Sequence, residues 1–245
     1  MIKEFPLFFP NVTKTYTQIH NSLSDESIRI KRCKDSIYKY IDTGLFKSII
    51  LVDGSNTKIF NEKEILELKK KIQFEQLIFQ QDTELVSKYG KSNGEQQIVN
   101  FMIRNSRLVN KYGGFYKITP GYFIQNISEI INKIDNNSNV FYFSQPLFMI
   151  KKHKYVDTIF YKCTTNFFNK NLKHSLNECN YNEEGFLEAV YFKRLINLKK
   201  EKIKSSYPFY KGIAGTTGKK IINNKYLLRN FLSKTGFLCY ELFND

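Results

Sequence analysis

Tryptophan is absent from the 245 residues, and histidine and cysteine are scarce, at three and four. Cys33, Cys163, Cys179 and Cys239 stand far apart with no C-x-x-C pair, so neither a zinc site nor a disulfide framework is expected. Reduced thiols acting as small hydrophobes, in a cytoplasmic chain, fit this pattern. No run of about 18 apolar residues occurs, so no membrane span is predicted. The opening MIKEFPLFFPNV is interrupted by Pro6 and Pro10. It is too short for a secretory signal and reads as a buried first strand. Neither G-x-x-x-x-G-K-[ST] nor G-x-G-x-x-G is present, which removes the two commonest glycine signatures of nucleotide binding. Acid is in short supply as well. Asp and Glu number 23 against 38 Lys and Arg, a net charge of +15. That balance draws polyanions, whether nucleic acid, anionic lipid or phosphorylated substrates; a solvated lysine-rich surface is the plain alternative.

What is present is enough to build a core, since aromatics make up 16% of the chain, all Phe and Tyr. Residues 5–12 predict a strand. The segment SDESIRIKRCKDSIYKYIDTG predicts a helix that Ser24 can cap, with Ile28, Ile30, Cys33, Ile37, Tyr40 and Ile41 near helical spacing and Gly44 as its stop. FKSIILVDGSN predicts a buried parallel strand running into Asp53-Gly54. NEKEILELKKKI predicts an amphipathic helix and FEQLIFQQ a short strand. KYGKSNGE reads as a loop, residues 94–110 as a helix and GFYKI as a strand. In the second half, VFYFSQPLFMI and YVDTIFYKC predict strands. TTNFFNKNLKHSL, NEEGFLEAVYFKRLINLKKEKI and NNKYLLRNFLSKTG predict helices. With no repeat or linker to divide it, the chain is expected to form a single domain over 1–245, α/β in class, with a mostly parallel central sheet flanked by helices in the Rossmann-like manner.

Ligands of such sheets bind beyond the carboxyl ends of the strands. Asp53 therefore becomes a candidate donor-binding residue. In KYGKSNGE, Lys88 and Lys91 stand with two glycines before a predicted helix start, where backbone N–H groups and the helix dipole favour an anion. Gly94 allows close approach of a phosphate, and Glu95 falls in the first helical turn. An ordinary polar turn is the alternative. The strand GFYKI ends Lys117-Ile118-Thr119-Pro120-Gly121-Tyr122 with no acid. Asp157 is the lone acid of an aromatic strand and can bind a sugar hydroxyl or simply mark an edge. Glu184 and Glu188 are four apart and would share one helix face. Near the end, GIAGTTGKK sets Thr216, Thr217 and Lys219 among glycines, a composition suited to a backbone nest that closes over phosphate.

The succession of VDGSN, GKSNGEQQIVNFMIRNS and FYKITPGYFI resembles small GT-A-type glycosyltransferases of bacterial capsule and lipopolysaccharide loci. The likeness covers about residues 5–125, with echoes at VDTIFY and EEGFLEAVYF. It implies a nucleotide-sugar-binding half over about 1–125 and an acceptor-side half over about 126–245, ending in the Gly-rich loop and a last helix. It also implies a D-x-D motif whose carboxylates hold a divalent metal, and an arginine after the glycine of the strand end. This chain has Thr119-Pro120-Gly121 and Tyr122 instead. A metal-independent site is therefore expected, with no cofactor beyond the nucleotide-sugar co-substrate. Lys88, Lys91, Lys117, Thr119, Gly121 and Lys219 would attend the leaving diphosphate. The resemblance points to Glu188 as general base, with Asp157 and Glu184 beside it. The expected partners are a nucleotide-sugar and a glycan or lipid-linked acceptor; the basic amphipathic C-terminal helix can either pack on the domain or lie on the inner face of the cytoplasmic membrane. Nucleic acid is not expected as a partner. Two other classes stay open: a basic nucleic-acid-binding module or nuclease, and an inactive glycosyltransferase-like scaffold.

Overall fold

Every residue of Leu7–Asn11 (β1) and Ser48–Asp53 (β2) is buried. Interior parallel strands covered on both faces have this property. A computed structural model of the protein describes residues 3–15, 25–135, 138–144, 155–203, 206–212, 226–235 and 239–244. Between β1 and β2 runs helix α1 (Glu26–Asp42), opened by Asp25, whose side chain accepts from Ile28 N at 3.1 Å. The predicted cap, Ser24, lies outside the described residues. Helix α2 (Glu62–Lys71) starts from a reciprocal capping box, Asn61 with Glu64, and leads into β3 (Gln73–Ile78).

The stretch expected to be a loop before one helix over 94–110 is helical almost throughout. Helices α3 (Thr83–Tyr89), α4 (Lys91–Asn105) and α5 (Arg107–Tyr112) follow one another. Gly90 turns the chain between the first two at φ +88°, a conformation that favours glycine. After α5 come β4 (Gly114–Ile118), β5 (Tyr122–Ile124), α6 (Ile127–Ile131), β6 (Asn139–Ser144) and β7 (Tyr155–Thr164). The TTNFF segment is helical as expected: α7 (Thr165–Phe167) continues into a π turn and a 3-10 turn through Asn177. The long helix predicted from Asn182 is broken. Glu183–Gly185 form a 3-10 turn, Phe186 is extended, and α8 covers only Leu187–Leu195. The end of that segment is a strand, β8 (Glu201–Ile203), followed by β9 (Tyr210–Gly212), α9 (Tyr226–Thr235) and β10 (Cys239–Phe243).

One sheet runs through both halves in the order β3-β2-β1-β4-β7-β6-β10-β8, and β5 pairs with β9 in a two-stranded ribbon. Pairing is parallel from β3 to β4 and antiparallel from β4 to β8. The architecture is thus α/β with a mixed sheet, parallel where the crossover helices α1 and α2 return the chain to the same edge. Alternate residues of each strand serve opposite cores. Leu7, Phe9, Ile49 and Leu51 pack with Cys33, Ile37 and Tyr40 of α1, Leu68 of α2 and Ile130 of α6. Phe8, Ile50 and Val52 pack with Ile98, Val99 and Met102 of α4 and with Val190, Tyr191 and Leu195 of α8. Cys33, Cys163 and Cys179 are buried in these cores as thiols, outside any disulfide among the described residues. No helix among the described residues is long and apolar enough to cross a membrane.

The chain leaves β1 for β2 and β3 on one side, then returns to β4 on the other. That reversal makes the region beyond the carboxyl ends of β1 and β4, the switch-point crevice of such topologies, the usual ligand position. Asp53 holds the adjacent loops. One carboxylate oxygen accepts from Asn11 Nδ2 (2.8 Å), Thr13 N (3.0 Å) and Thr13 Oγ1 (2.8 Å). The other accepts from Ser55 N (2.8 Å), Ser55 Oγ (2.7 Å) and Thr57 N (3.0 Å). Asp53 is fully buried, and its substitution by Ala strands these donors. Asp53→Ala is expected to lower stability by about 3 kcal/mol or more in urea denaturation; a loss under about 0.5 kcal/mol would show the network to be incidental.

Candidate functional site

The tip of β4 carries a lysine with no exposed surface. Lys117 Nζ lies 2.5 Å from Glu95 Oε1 and donates to Thr119 Oγ1 at 2.7 Å and to the Thr158 carbonyl. Of the three donors of an ammonium, two make these hydrogen bonds, and the Glu95 carboxylate is ion-paired beside it. Lys117 is therefore a support of the site rather than a phosphate contact, a correction to the expectation drawn from sequence. Its partners come from α4, from the β4–β5 turn and from β7, so this one side chain fixes three neighbours of the crevice.

Helix α4 contributes Lys91 and Glu95, one turn apart on the same face. Lys91 is exposed as a residue. Loss of water around its ammonium lowers its pKa, while Glu188 and Glu95 act in the opposite direction. Glu188, in the first turn of α8, is half-buried and accepts from Thr158 Oγ1 at 3.0 Å. Asp157, the neighbour of Thr158 on β7, accepts from Tyr210 OH at 2.6 Å and from Ile159 N at 2.8 Å. Burial raises its pKa to about 6; the Tyr210 and Ile159 hydrogen bonds and the charge of Lys117 oppose this, and Glu188 adds to it. The residue keeps part of its surface in contact with solvent.

The remaining predicted residues fall as follows. Lys91, Glu95, Lys117, Thr119, Asp157 and Glu188 are brought together. Asp53 is close by, but its six donors leave its oxygens saturated, so it holds loops instead of ligand. Lys88 is in the last turn of α3, exposed, with Nζ 5.1 Å from the centre of the Tyr89 ring, and does not join the cluster. Gly94 is buried inside α4, where a Cβ would meet Gln81 Nε2 at 2.8 Å; the need for glycine is packing, not phosphate. Glu184 lies in the 3-10 turn before α8, exposed and paired with Lys193 at 3.1 Å, and so shares no helix face with Glu188. Gly121 is at the turn after β4 with φ +87°. Thr216, Thr217 and Lys219 lie outside the described residues.

The sequence reading missed the groups on α1. Arg29 Nε donates to the Val12 carbonyl, just past β1, at 2.6 Å. The Arg32 guanidinium lies so close to Gly121 that a Cβ there would overlap it. It thus stands beside the position where the resemblance expects an arginine and the chain has Tyr122. Below it, Ser36 Oγ accepts from Gly121 N at 2.8 Å and Tyr40 OH from Ile124 N at 3.1 Å. Arg32, Ser36 and Tyr40 form one stripe of α1 docked on the β4–β5 turn. The available signal was this spacing of four, which two arginines extend toward the carboxyl ends of the strands.

Tyr122 sits where these groups meet. Burial raises its pKa, Asp157 adds to the rise, Arg32 opposes it, and Glu95 and Glu188 contribute smaller increases. Two cavities, of about 240 Å³ beside Phe167, Leu198 and Phe243 and about 520 Å³ beside Asn180, Glu184 and Val190, are lined by none of the residues of this cluster. The crevice, and neither cavity, combines the topological reversal with converging charged side chains. Compared with protein-family models, curated proteins and solved structures, the chain matches none.

Asp157 has a stability signature. Its folded pKa lies above the unfolded value of 3.8, so the native state holds the proton more tightly than the unfolded chain. The stability this group contributes is full below about pH 4 and is lost as pH rises through about 6. Asp157→Asn is expected to raise stability by on the order of 1 kcal/mol at pH 7.5 relative to its effect at pH 4. Chemical denaturation at the two pH values checks this, and an equal effect at both contradicts it.

Proposed function

We propose that the protein is a glycosyltransferase that moves a sugar from a nucleotide-sugar donor to a bacterial surface glycan, or to its lipid-linked precursor, in a GT-A-like fold. The observation that carries this reading is the convergence at the switch-point crevice of a carboxylate pair, Asp157 and Glu188, with cationic groups from α1 and α4. An inverting transfer needs one base to take the acceptor hydroxyl proton and fixed positive charge to stabilise the departing diphosphate. The division of the chain supports it as well: the parallel strands β1–β4 form the front half, where the resemblance puts the donor, and the antiparallel strands form the back half.

The base role falls to Asp157 ahead of Glu188. Its pKa of about 6 suits proton abstraction near neutral pH, and Glu188 helps to keep it there. The three carboxylates of the site are each engaged by protein partners: Glu95 by Lys117, Asp157 by Tyr210 and Ile159, Glu188 by Thr158. This arrangement favours leaving-group stabilisation by protein cations over a bound divalent ion. Leu228 and Phe231, exposed one turn apart on α9 with Lys234 beyond them, offer apolar and basic surface to a membrane carrying the acceptor.

The experiment is a screen of nucleotide-sugars by thermal shift, followed by hydrolysis and transfer assays with and without EDTA. A stabilising donor that is turned over in EDTA is the expected result; no turnover of any donor, or strict metal dependence, overturns the corresponding part. Activity should rise as pH climbs through about 6, where Asp157 loses its proton. Asp157→Asn should cost about 10²-fold or more and abolish that rise. Glu188→Gln should retain measurable activity and move the rise to lower pH, since removing a neighbouring negative charge lowers the Asp157 pKa. Abolition by Glu188→Gln with retention in Asp157→Asn would reverse the two roles.

A further inference from the structure

We propose that Tyr210 is a positioning residue of the site: the two-stranded ribbon of β5 and β9 carries its hydroxyl across to Asp157 and holds that carboxylate in the orientation a general base needs. This rests on the reading of Asp157 as the base of a sugar transfer. In that transfer the acceptor oxygen bonds to the sugar carbon. The bond from that carbon to the diphosphate oxygen breaks, its electron pair leaving on the diphosphate, and the acceptor's proton passes to Asp157. The last torsion of an Asp side chain is broad and only weakly confined by its own backbone, so partners must set the direction of its oxygens. Ile159 N, two residues along β7, donates to Asp157 Oδ1 at 2.8 Å, and Tyr210 OH donates to Oδ2 at 2.6 Å. The first donor belongs to the same strand and follows Asp157 wherever β7 goes. The second comes from outside the main sheet, 53 residues later in the chain, and ties the carboxylate to the ribbon. One donor on each oxygen fixes the carboxylate plane. A carboxylate has about four acceptor sites, so capacity remains for a substrate hydroxyl.

The ribbon is built to hold that position. Tyr122 pairs with Gly212 and Ile124 with Tyr210, which makes the two tyrosines diagonal neighbours on one face. The Tyr210 ring is buried and meets the Tyr122 ring edge to face at 6.1 Å. Strand β5 is docked on α1, where Ser36 Oγ accepts from Gly121 N at 2.8 Å and Tyr40 OH from Ile124 N at 3.1 Å. The chain entering β9 is held by the chain leaving β5: Gln125 N donates to the Phe209 carbonyl at 3.0 Å, and Phe209 N to Asn126 Oδ1 at 2.8 Å. The strands approach so closely that a Cβ at Gly212 would lie 2.1 Å from the Gly121 carbonyl oxygen. A side chain there would wedge the ribbon open and carry Tyr210 off Asp157. The groups around Asp157 divide by effect. The Tyr210 hydroxyl, Ile159 N–H and Lys117 of β4 favour its charged form, whereas burial and Glu188 of α8 oppose it. Tyr122 of β5 feels its charge, and Tyr142 stands opposite it on β6. Loss of the Tyr210 donor therefore raises the Asp157 pKa further above about 6.

The test uses the full chain and Tyr210→Phe, which keeps the ring against Tyr122 and removes only the hydroxyl. Carbon-detected NMR of labelled aspartate and tyrosine follows Asp157 Cγ and Tyr210 Cζ across the acid-to-neutral range. In the wild type both signals are expected to move together with a midpoint of about 6. In Tyr210→Phe the Asp157 midpoint should rise by roughly one pH unit, the worth of one hydrogen bond to a charged group. Transfer assays should show the rise of activity displaced upward with it. On the plateau above that rise, kcat should be lower by roughly tenfold with KM little changed. Gly212→Ala keeps the hydroxyl but opens the ribbon and should reproduce the shift, with melting temperature followed in both variants. A Tyr210 signal that ignores the ionisation of Asp157 in the wild type overturns the proposal whether or not either variant folds. An unmoved Asp157 midpoint in folded Tyr210→Phe overturns it too, and one in folded Gly212→Ala removes the ribbon's part. The two levels separate. A shifted midpoint without transfer of any sugar keeps the hold of Tyr210 on Asp157 and removes the transferase. Transfer whose pH profile and kcat are unchanged in Tyr210→Phe keeps the transferase and removes the positioning role.

Discussion

The ammonium of Lys117 is the constraint on which the site depends. It is fully buried at the last turn of a central strand, and burial of an uncompensated charge is prohibitive. Glu95 must therefore face it from α4, and the Thr119 hydroxyl and the Thr158 carbonyl must close around it. Such an ion pair adds little net stability against an apolar pair of similar volume, yet breaking it by removing one partner costs about 3–5 kcal/mol. Its value here is positional. The contact sets the height of α4 over the sheet, which places Lys91. It also sets the start of β7 beside β4, which places Asp157 and, through Thr158, Glu188.

Asp53 has the matching role on the other side of β1. One buried acid at the tip of β2 gathers the donors of two loops, and one buried base at the tip of β4 gathers acceptors from three elements. Both are charged residues at strand ends, where sequence reasoning looks first for ligand contacts. Both are occupied by the protein itself. On the proposed reading, the side chains that meet a substrate would come from the next ring outward, on α1, α4, β7 and α8. Strand tips whose polar groups are taken up by the protein hold the neighbouring side chains in place, which is the arrangement a preorganised site requires.

The parts of this structure that were legible in the sequence are those governed by local pattern. Strand β2, helix α2 and the α/β alternation of the front half follow from apolar runs and periodicity, and they stand close to where these predict. The misreadings have specific physical causes. Gly90 and Gly94 were taken together as a loop, but only Gly90 needs a left-handed backbone; Gly94 is a helical residue kept small by Gln81. Glu184 and Glu188 have helical spacing, but the extended Phe186 between them breaks the helix. Strand β10 pairs with β6 about a hundred residues earlier in the chain, and no local signal encodes such a partner. Arg29 and Arg32 were hidden for another reason: an arginine on an amphipathic helix has the same appearance whether it faces water or a crevice, and only the docking of Ser36 and Tyr40 reveals which.

Charge at the site differs in kind from charge on the chain as a whole. The net +15 produces a field that attracts any polyanion and raises encounter rates without regard to shape. Among the described residues, the basic side chains Arg29, Arg32, Lys91 and Lys117 around these strand ends are matched in number by Asp53, Glu95, Asp157 and Glu188. Discrimination there cannot come from net charge. A nucleic-acid surface profits from an uninterrupted basic face, which a cluster containing Glu95, Asp157 and Glu188 does not offer. A short substrate with phosphates at one end and a neutral hydroxylated group at the other needs no such face. On the proposed reading, such a charge pattern would suit a small anion better than a polymeric one among those the overall field attracts.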